Sequence, residues 1–322
     1  MKIAVAIPCY KVKKHILSVI EQIGPEVDVI YVVDDCCPES TGEYVIENCS
    51  DKRVTVLNNK HNLGVGGAVV TAYKEALKDG IDIVVKIDGD GQMDPALLPH
   101  FIAPIVKGEA DYTKGSRFFT LDSLISMPRM RKIGNAALSF INKVSSGYWH
   151  VMDPTNGYTA VHYKSLSLLP LDKLSQRYFF ESDMLFRLGT LRAVVQDIPM
   201  DALYADEVSN LSIKKVLLDF PPLYIKAFGK RVFYNYFLRD FNGASMKLII
   251  GLLMMLSGIV WGGGQWINSI YSGTETSTGT VMLAVLPIIL GFQLLLSAID
   301  YDMSHAPTRP LQNWFSTTKR KH

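Results

Sequence analysis

The stretch KIDGDGQMDP, residues 86–95, follows the apolar run IDIVV and sets Asp88, Asp90 and Asp94 beside two glycines. In an extended chain residues i and i+2 point the same way, so Asp88 and Asp90 can present oxygens to one point while Gly89 and Gly91 let the backbone bend closely round it. Two like charges held together call for a cation. Oxygen ligands with room for water suit Mg2+ or Mn2+, which can also engage a substrate diphosphate. Asp, Gly and Pro equally make ordinary turns after strands. The choice between the two readings depends on what else converges on the same place.

The surrounding elements answer that. KIAVAI, DVIYVVD, RVTVLN and DIVVKID read as strands; KKHILSVIEQI, the segment after Glu39, GGAVVTAYKEALKDG and PALLPHFIAPIVKG read as the helices between them. Repeated βα units imply an α/β domain with a mostly parallel sheet and helices on both faces. In such sheets ligands collect at the carboxyl ends of the strands. Pro8 and Tyr10 follow the first strand, Asp34 and Asp35 the second, His61 and Asn62 the third, and the Asp88 group the fourth. Their convergence on one edge favours a metal and nucleotide site over a bare turn. The turn Gly64-Val65-Gly66-Gly67 carries glycines like those of a dinucleotide fingerprint, but it follows the third strand and not the first. Farther on, RMRKIGNAALSFINKV and ESDMLFRLGTLRAV are helical in period, with the short strand YTAVH between them.

With 322 residues and 48% apolar content the chain can bury a large core. Its 33 Lys and Arg against 31 Asp and Glu provide no broad basic footprint, so no nucleic-acid partner is expected. Cys9, Cys36, Cys37 and Cys49 lack zinc or thioredoxin-type spacing and read as reduced cytosolic thiols, the adjacent Cys36 and Cys37 being assigned no function. The 7 histidines form no ligand pattern.

Composition changes near residue 244. No charged residue occurs from Leu248 to Thr274, and after Glu275 none occurs until Asp300, leaving two apolar segments of about 20 residues each, the length of a membrane span. A hairpin buried in a soluble core would normally keep a polar face. The expected layout is a catalytic domain at 1–211, amphipathic juxtamembrane helices at 212–243, two transmembrane helices within 244–299 and a basic cytoplasmic tail at 300–322. Arg231, Arg239 and Lys247 precede the first span, Arg309, Lys319, Arg320 and Lys321 follow the second, and the connecting loop has no basic residue. Both ends should therefore face the cytoplasm. No signal peptide is expected, because Met1 leads directly into the strand-like KIAVAIP.

IPCY at 7–10, VVDD at 32–35, NKHNLGVGGA at 59–68 and DGDGQ at 88–92 occur in an order and spacing that resembles the family-2 glycosyltransferases of the GT-A fold. Within that family the chain is similar to the polyprenyl-phosphate sugar synthases related to dolichyl-phosphate mannose synthase. GSR at 115–117, Arg131 in RMRKIGN and DPTNGY at 153–158 extend the likeness. Some positions depart from it. Lys11 stands where the family has Asn, and Cys37 takes the serine position of the nucleotide motif. YADEVSNLSIKK at 204–215 keeps Ser209 but lacks the Arg of the family's RxxGxSK, leaving Lys214 or Lys215 to replace it. The processive signature QxxRW is absent.

The resemblance implies a Rossmann-like GT-A sheet carrying an inverting, metal-dependent transferase of cell-envelope polysaccharide synthesis. Such an enzyme moves a sugar from a UDP- or GDP-linked donor to a polyprenyl phosphate at the membrane. It implies donor contacts from Pro8, Tyr10, Asp34, Asp35, Asn62, Gly64 and Asp88, with Asp34 and Asp35 on base and ribose, and Mg2+ or Mn2+ on Asp88, Asp90 and Gln92. The implied catalytic set is Asp88, Asp90, Asp153, Arg117 and Arg131. The two arginines would hold the acceptor phosphate, whose geometry a guanidinium fork matches. Asp153 resembles a carboxylate proposed as base in relatives, or caps a turn; Glu181 and Asp183 line the acceptor side, or solvate a helix start. A second reading has a hydroxyl acceptor with Asp153 or Asp183 as base, and a third has a non-catalytic membrane scaffold. Two spans offer no flipping path, so a separate flippase is an expected partner, and homo-oligomerisation stays open.

Overall fold

The computed structural model describes residues 1–119, 129–201 and 213–314, with 129–133 and 213–218 as backbone only. The chain forms two compact units, Met1–Phe228 with the segment from Pro307 onward, and Gly229–Ala306.

The first unit is built on strands β1 Ile3–Cys9, β2 Val29–Asp34, β3 Val54–Asn58, β4 Ile83–Lys86, β5 Tyr112–Ser116, β6 Thr159–His162 and β7 Val195–Pro199. They form one 7-stranded sheet in the order β3-β2-β1-β4-β6-β5-β7. β1 to β4 are parallel, as the βα repeats require; β6 is antiparallel to both β4 and β5, and β7 is parallel to β5. With β6 alone reversed, its amino end shares an edge with the carboxyl ends of all the others.

Helices α1 Ile16–Glu21, α2 Thr41–Asn48, α3 Gly64–Lys78, α4 Leu98–Val106, α5 Arg129–Ser146, α6 Tyr163–Leu168 and α7 Phe180–Leu191 complete the unit. Period-two alternation sends Ala4 and Ala6 of β1 to the face covered by α3 and α7, and Val5 and Ile7 to the face covered by α1 and α4. Gly66 opens α3 where the loop before α7 passes: a Cβ there would lie 2.3 Å from the Ser175 carbonyl oxygen. That close approach explains a glycine in the NLGVGGA turn.

α8 Ile213–Phe233 runs from the first unit into the second and leads through a π-helical turn at Tyr234–Arg239 into α9 Gly243–Ser272 and α10 Thr278–Ser304. α9 has 30 residues and α10 has 27; at 1.5 Å per residue each is about 40 Å or longer, more than the roughly 30 Å of a bilayer core. Asn242 caps α9 by accepting the N–H groups of Ala244 and Ser245. Small residues let the two helices approach: a Cβ on Gly291 would sit 2.7 Å from the Gly251 carbonyl oxygen.

Of the expected C-terminal tail, Leu311–Trp314 forms a short helix, α11, within the first unit. Asp111 accepts the backbone N–H groups of Val194, Leu311 and Gln312, and the Gln312 amide donates to the carbonyls of Ile105 and Ala110.

Candidate active site

β2, β1 and β4 end side by side. Cys9 lies in register with Asp34 and Ala6 with Lys86, and the Ile87 N–H donates to the Ala6 carbonyl. Pro8, Tyr10, Asp34, Asp35, Asn62, Gly64 and Asp88 therefore belong to one sheet edge. Tyr10 and Asn62 are exposed there, whereas Asp34 and Asp35 are buried. Asp34 accepts the N–H of Cys37 and of Gly42, both at 2.7 Å. Asp35 accepts from the Asn59 amide at 2.8 Å and from the N–H groups of Leu63 and Gly64 at 2.9 and 2.7 Å. Both acids spend these bonds within the chain and so fix the loops after β2 and β3.

Cys37, which sequence reasoning left without a role, ties the loop after β1 to the start of α2. Its sulfur accepts the Lys11 N–H at 3.1 Å and lies 3.2 Å from the Thr41 hydroxyl. Lys11 has φ 60°, a left-handed conformation that Asn tolerates better than Lys.

The acidic cluster after β4 divides into two jobs. Asp94 makes the turn: its carboxylate accepts the Ala96 N–H and caps the helical segment that opens with Pro95. Asp88, Asp90 and Gln92 are half-buried. Asp90 accepts the Gln92 N–H at 3.0 Å across Gly91, whose φ of 76° favours glycine. Asp88 Oδ1 is buried and has no hydrogen-bond donor among the described residues. Its neighbour is the Lys86 ammonium, with which it forms an ion pair at 2.8 Å.

Among the described residues no three His, Cys, Asp or Glu side chains gather as a closed metal cage. Two carboxylates and an amide, one carboxylate oxygen without a donor, fit a hard cation that keeps waters and takes its remaining ligands from a diphosphate.

On the far half of the sheet Arg117 follows β5, and its guanidinium grips the fully buried Asp153, Nε to Oδ2 at 2.7 Å and Nη2 to Oδ1 at 3.1 Å. With both oxygens engaged, Asp153 orients Arg117, whose side chain remains 30% exposed. Asp183 accepts the Ser175 N–H and the Arg187 Nε, closing the turn before α7. Arg131 lies on α5, its side chain outside the described residues; so do Ser209 and the side chains of Lys214 and Lys215.

Between these halves runs a row that sequence reasoning missed. Lys86 on β4, Thr159 on β6, Lys114 on β5 and Asp197 on β7 are in register and share one face, with Glu181 of α7 near Lys86 at 3.3 Å. Burial opposes the charge on Lys86, but Asp88 and Glu181 outweigh it and raise its pKa above the ordinary lysine range. Lys114, also fully buried, is pushed down to about 8 by burial, partly offset by Glu181 and Asp153; its ammonium donates to the Asn156 carbonyl. Burial raises Asp197, opposed by the Met152 N–H and Lys114. Gly157 lets its loop close over the row, since a Cβ there would lie 2.5 Å from Lys86 Nζ and 2.8 Å from Asp88 Oδ2. One signal was present: a lone lysine in the apolar strand IDIVVK, two residues before Asp88.

The Glycosyl transferase family 2 model matches residues 4–169, more than half of the chain. The UDP-N-acetylglucosamine--dolichyl-phosphate N-acetylglucosaminyltransferase of Methanococcus voltae is 29% identical over 214 residues, covering 62% of this chain and 85% of that protein. The undecaprenyl-phosphate mannosyltransferase of Micrococcus luteus is 30% identical over 205 residues, covering 62% and 83%. Among solved structures, glucosyl-3-phosphoglycerate synthase from Mycobacterium tuberculosis, in complex with Mn2+, UDP and phosphoglyceric acid, aligns over 74% of this chain and 80% of its own. The TM-score is 0.51 at 17% identity, a likeness of fold of the GT-A type.

Proposed function

This chain belongs to glycosyl transferase family 2, and from that premise we propose that it is a membrane-bound inverting transferase moving a sugar from a nucleoside diphosphate to a polyprenyl phosphate. The observation that carries the proposal is the sharing of one sheet edge by Asp88 and Asp90 after β4 and by the Arg117–Asp153 pair after β5. The first can serve a diphosphate and the second a phosphate, with a sugar between them. The two relatives bear names that specify dolichyl phosphate and undecaprenyl phosphate as acceptors, and the fold neighbour was crystallised with UDP and either Mn2+ or Mg2+.

In this reading Pro8, Tyr10, Asn62 and Gly64 bind the nucleotide on loops that Asp34 and Asp35 hold in shape. Asp88, Asp90 and Gln92 would hold Mg2+ or Mn2+, which when bound offsets negative charge developing on the departing nucleoside diphosphate. Arg117 and Arg131 orient the acceptor so that a phosphate oxygen bonds to the anomeric carbon as the bond to the diphosphate breaks on the opposite face. That oxygen is already ionised near neutral pH and needs little help from a base. Both oxygens of Asp153 being engaged by Arg117 weighs against the hydroxyl-acceptor reading, in which Asp153 must take a proton. Asp183 is held by Ser175 and Arg187 through one oxygen, Oδ2.

The helix pair serves to keep the enzyme at the membrane. Because the chain rejoins the first unit at Pro307, both ends of the pair belong on one side, which supports the cytoplasmic orientation read from the basic flanks.

Membranes carrying the protein, supplied with UDP- and GDP-sugars and a polyprenyl phosphate, should yield a glycosyl phosphoryl lipid identifiable by mass spectrometry. Asp90→Asn should reduce that transfer on the order of a thousandfold, about 4 kcal/mol of transition-state stabilisation. Undiminished transfer by Asp90→Asn, or product only on hydroxyl acceptors, would overturn the proposal.

A further inference from the structure

The Lys86 ammonium stands where it affects any cation that Asp88 is to hold. It lies 2.8 Å from Asp88 Oδ1 and 3.3 Å from Glu181 Oε1, on a side chain that is 1% exposed. Asp88 Oδ1 thus faces a buried positive charge at ion-pair distance. The Gly157 backbone closes over the pair and limits how far the ammonium can withdraw from Asp88. Glu181 offers it a second acid on the side of α7.

We infer that Lys86 is a positioning residue that acts as the resident counter-ion of Asp88, keeping the divalent-cation position weak until a nucleoside diphosphate brings its own negative charge. A dication on Asp88 alone must sit within a few ångströms of a buried ammonium, and that repulsion opposes its binding. Oxygens of a diphosphate lower the local potential and supply further ligands, so metal and nucleotide load together. Glu181 shares the ammonium and moderates its hold on Asp88. The role rests on the donor reading above, and it accounts for a lysine inside an apolar strand, where an unpaired charge would be strongly disfavoured.

The test uses the full-length protein in detergent and follows free Mn2+ by electron paramagnetic resonance, with Mn2+ alone and with UDP or GDP added. The double variant Lys86→Met with Glu181→Gln removes one charge of each sign, so the buried balance survives and folding can be confirmed by circular dichroism. It should bind Mn2+ alone roughly tenfold or more tighter than the unmodified protein, the direction expected when a like charge leaves a cation's neighbourhood. Glu181→Gln, which gives Lys86 wholly to Asp88, should bind it more weakly, and Lys86→Arg should stay close to the unmodified protein. A merely structural lysine would give no tightening. If the unmodified protein gains Mn2+ affinity with UDP or GDP while the double variant binds Mn2+ alone no more tightly than it, the inference about Lys86 is overturned and the donor reading stands. If neither nucleotide promotes Mn2+ binding to the unmodified protein, the donor reading fails and takes the inference with it.

Discussion

At the base of the helix pair Arg231 meets Asp302 through Nη1 at 2.7 Å and Nη2 at 3.0 Å, and the Tyr236 hydroxyl adds a bond to the same carboxylate at 2.5 Å. The charged row in the sheet is built otherwise. There Lys86, Lys114 and Glu181 are buried beside the half-buried Asp197, yet Asp88 Oδ1 and Asp197 Oδ1 take no hydrogen-bond donor among the described residues. A buried ion pair is tolerable when geometry returns what desolvation costs. At Asp302 both carboxylate oxygens are met by donors from within the chain. In the sheet one oxygen each of Asp88 and Asp197 has no such donor, the contrast that the proposed function requires between a structural pair and a site.

The sharpest way to break that contrast is Arg231→Met, which leaves Asp302 without its cation. Removing one partner of a buried pair should cost about 3 kcal/mol or more of stability, read by denaturation in detergent, while turnover per folded molecule stays within about twofold. Loss of turnover with stability intact would make the Arg231 fork part of the active centre.

The same contrast explains what could be read from the sequence. β1, β2 and β4 are nearly continuous apolar runs between helical segments, and the rule that ligands gather at carboxyl ends located Asp34, Asp35 and Asp88 at one edge. β5 and β7, YTKGS and VQDIP, carry Lys114 and Asp197 into the interior, so their hydrophobic pattern fails at the residues that make the row. Asp94 and Asp88 look alike in sequence, and the capping bond to Ala96 separates them. Arg231 and Asp302 lie 71 residues apart; no local spacing announces such a pair. Cys37 was invisible for a related reason, since its bond to the Lys11 N–H joins two loops that meet after β1 and β2 pair.

Arg117→Lys sharpens the comparison at its acceptor end. Arg117 uses two nitrogens on Asp153, as Arg231 does on Asp302, but remains partly exposed. A lysine can make one of those contacts and loses the planar fork. The expected result is a fall of about thirtyfold or more in kcat/KM for the lipid phosphate, roughly 2 kcal/mol, with the donor KM unchanged. A shifted donor KM with an unchanged acceptor value would move Arg117 to the nucleotide side.

Lys114 provides the smallest and most discriminating test, because its charge depends on how open the row is. Burial holds its folded pKa at about 8 against an ordinary 10.5. Between those values the unfolded chain carries the proton and the folded chain does not, so this lysine's contribution to stability grows as pH rises and is lost as pH falls through about 8. From about pH 7 to about pH 9.5 the gain is roughly 2 kcal/mol, at 1.36 kcal/mol per pH unit above the folded pKa. Lys114→Met should lack that rise, so that in parallel denaturation curves the gap between unmodified protein and variant changes by it, whereas Arg231→Met should retain it. A rise that persists without Lys114 would mean that the lysine keeps its proton in the folded chain as a paired cation does, and the row in the sheet would then be a second structural cluster and not an open site.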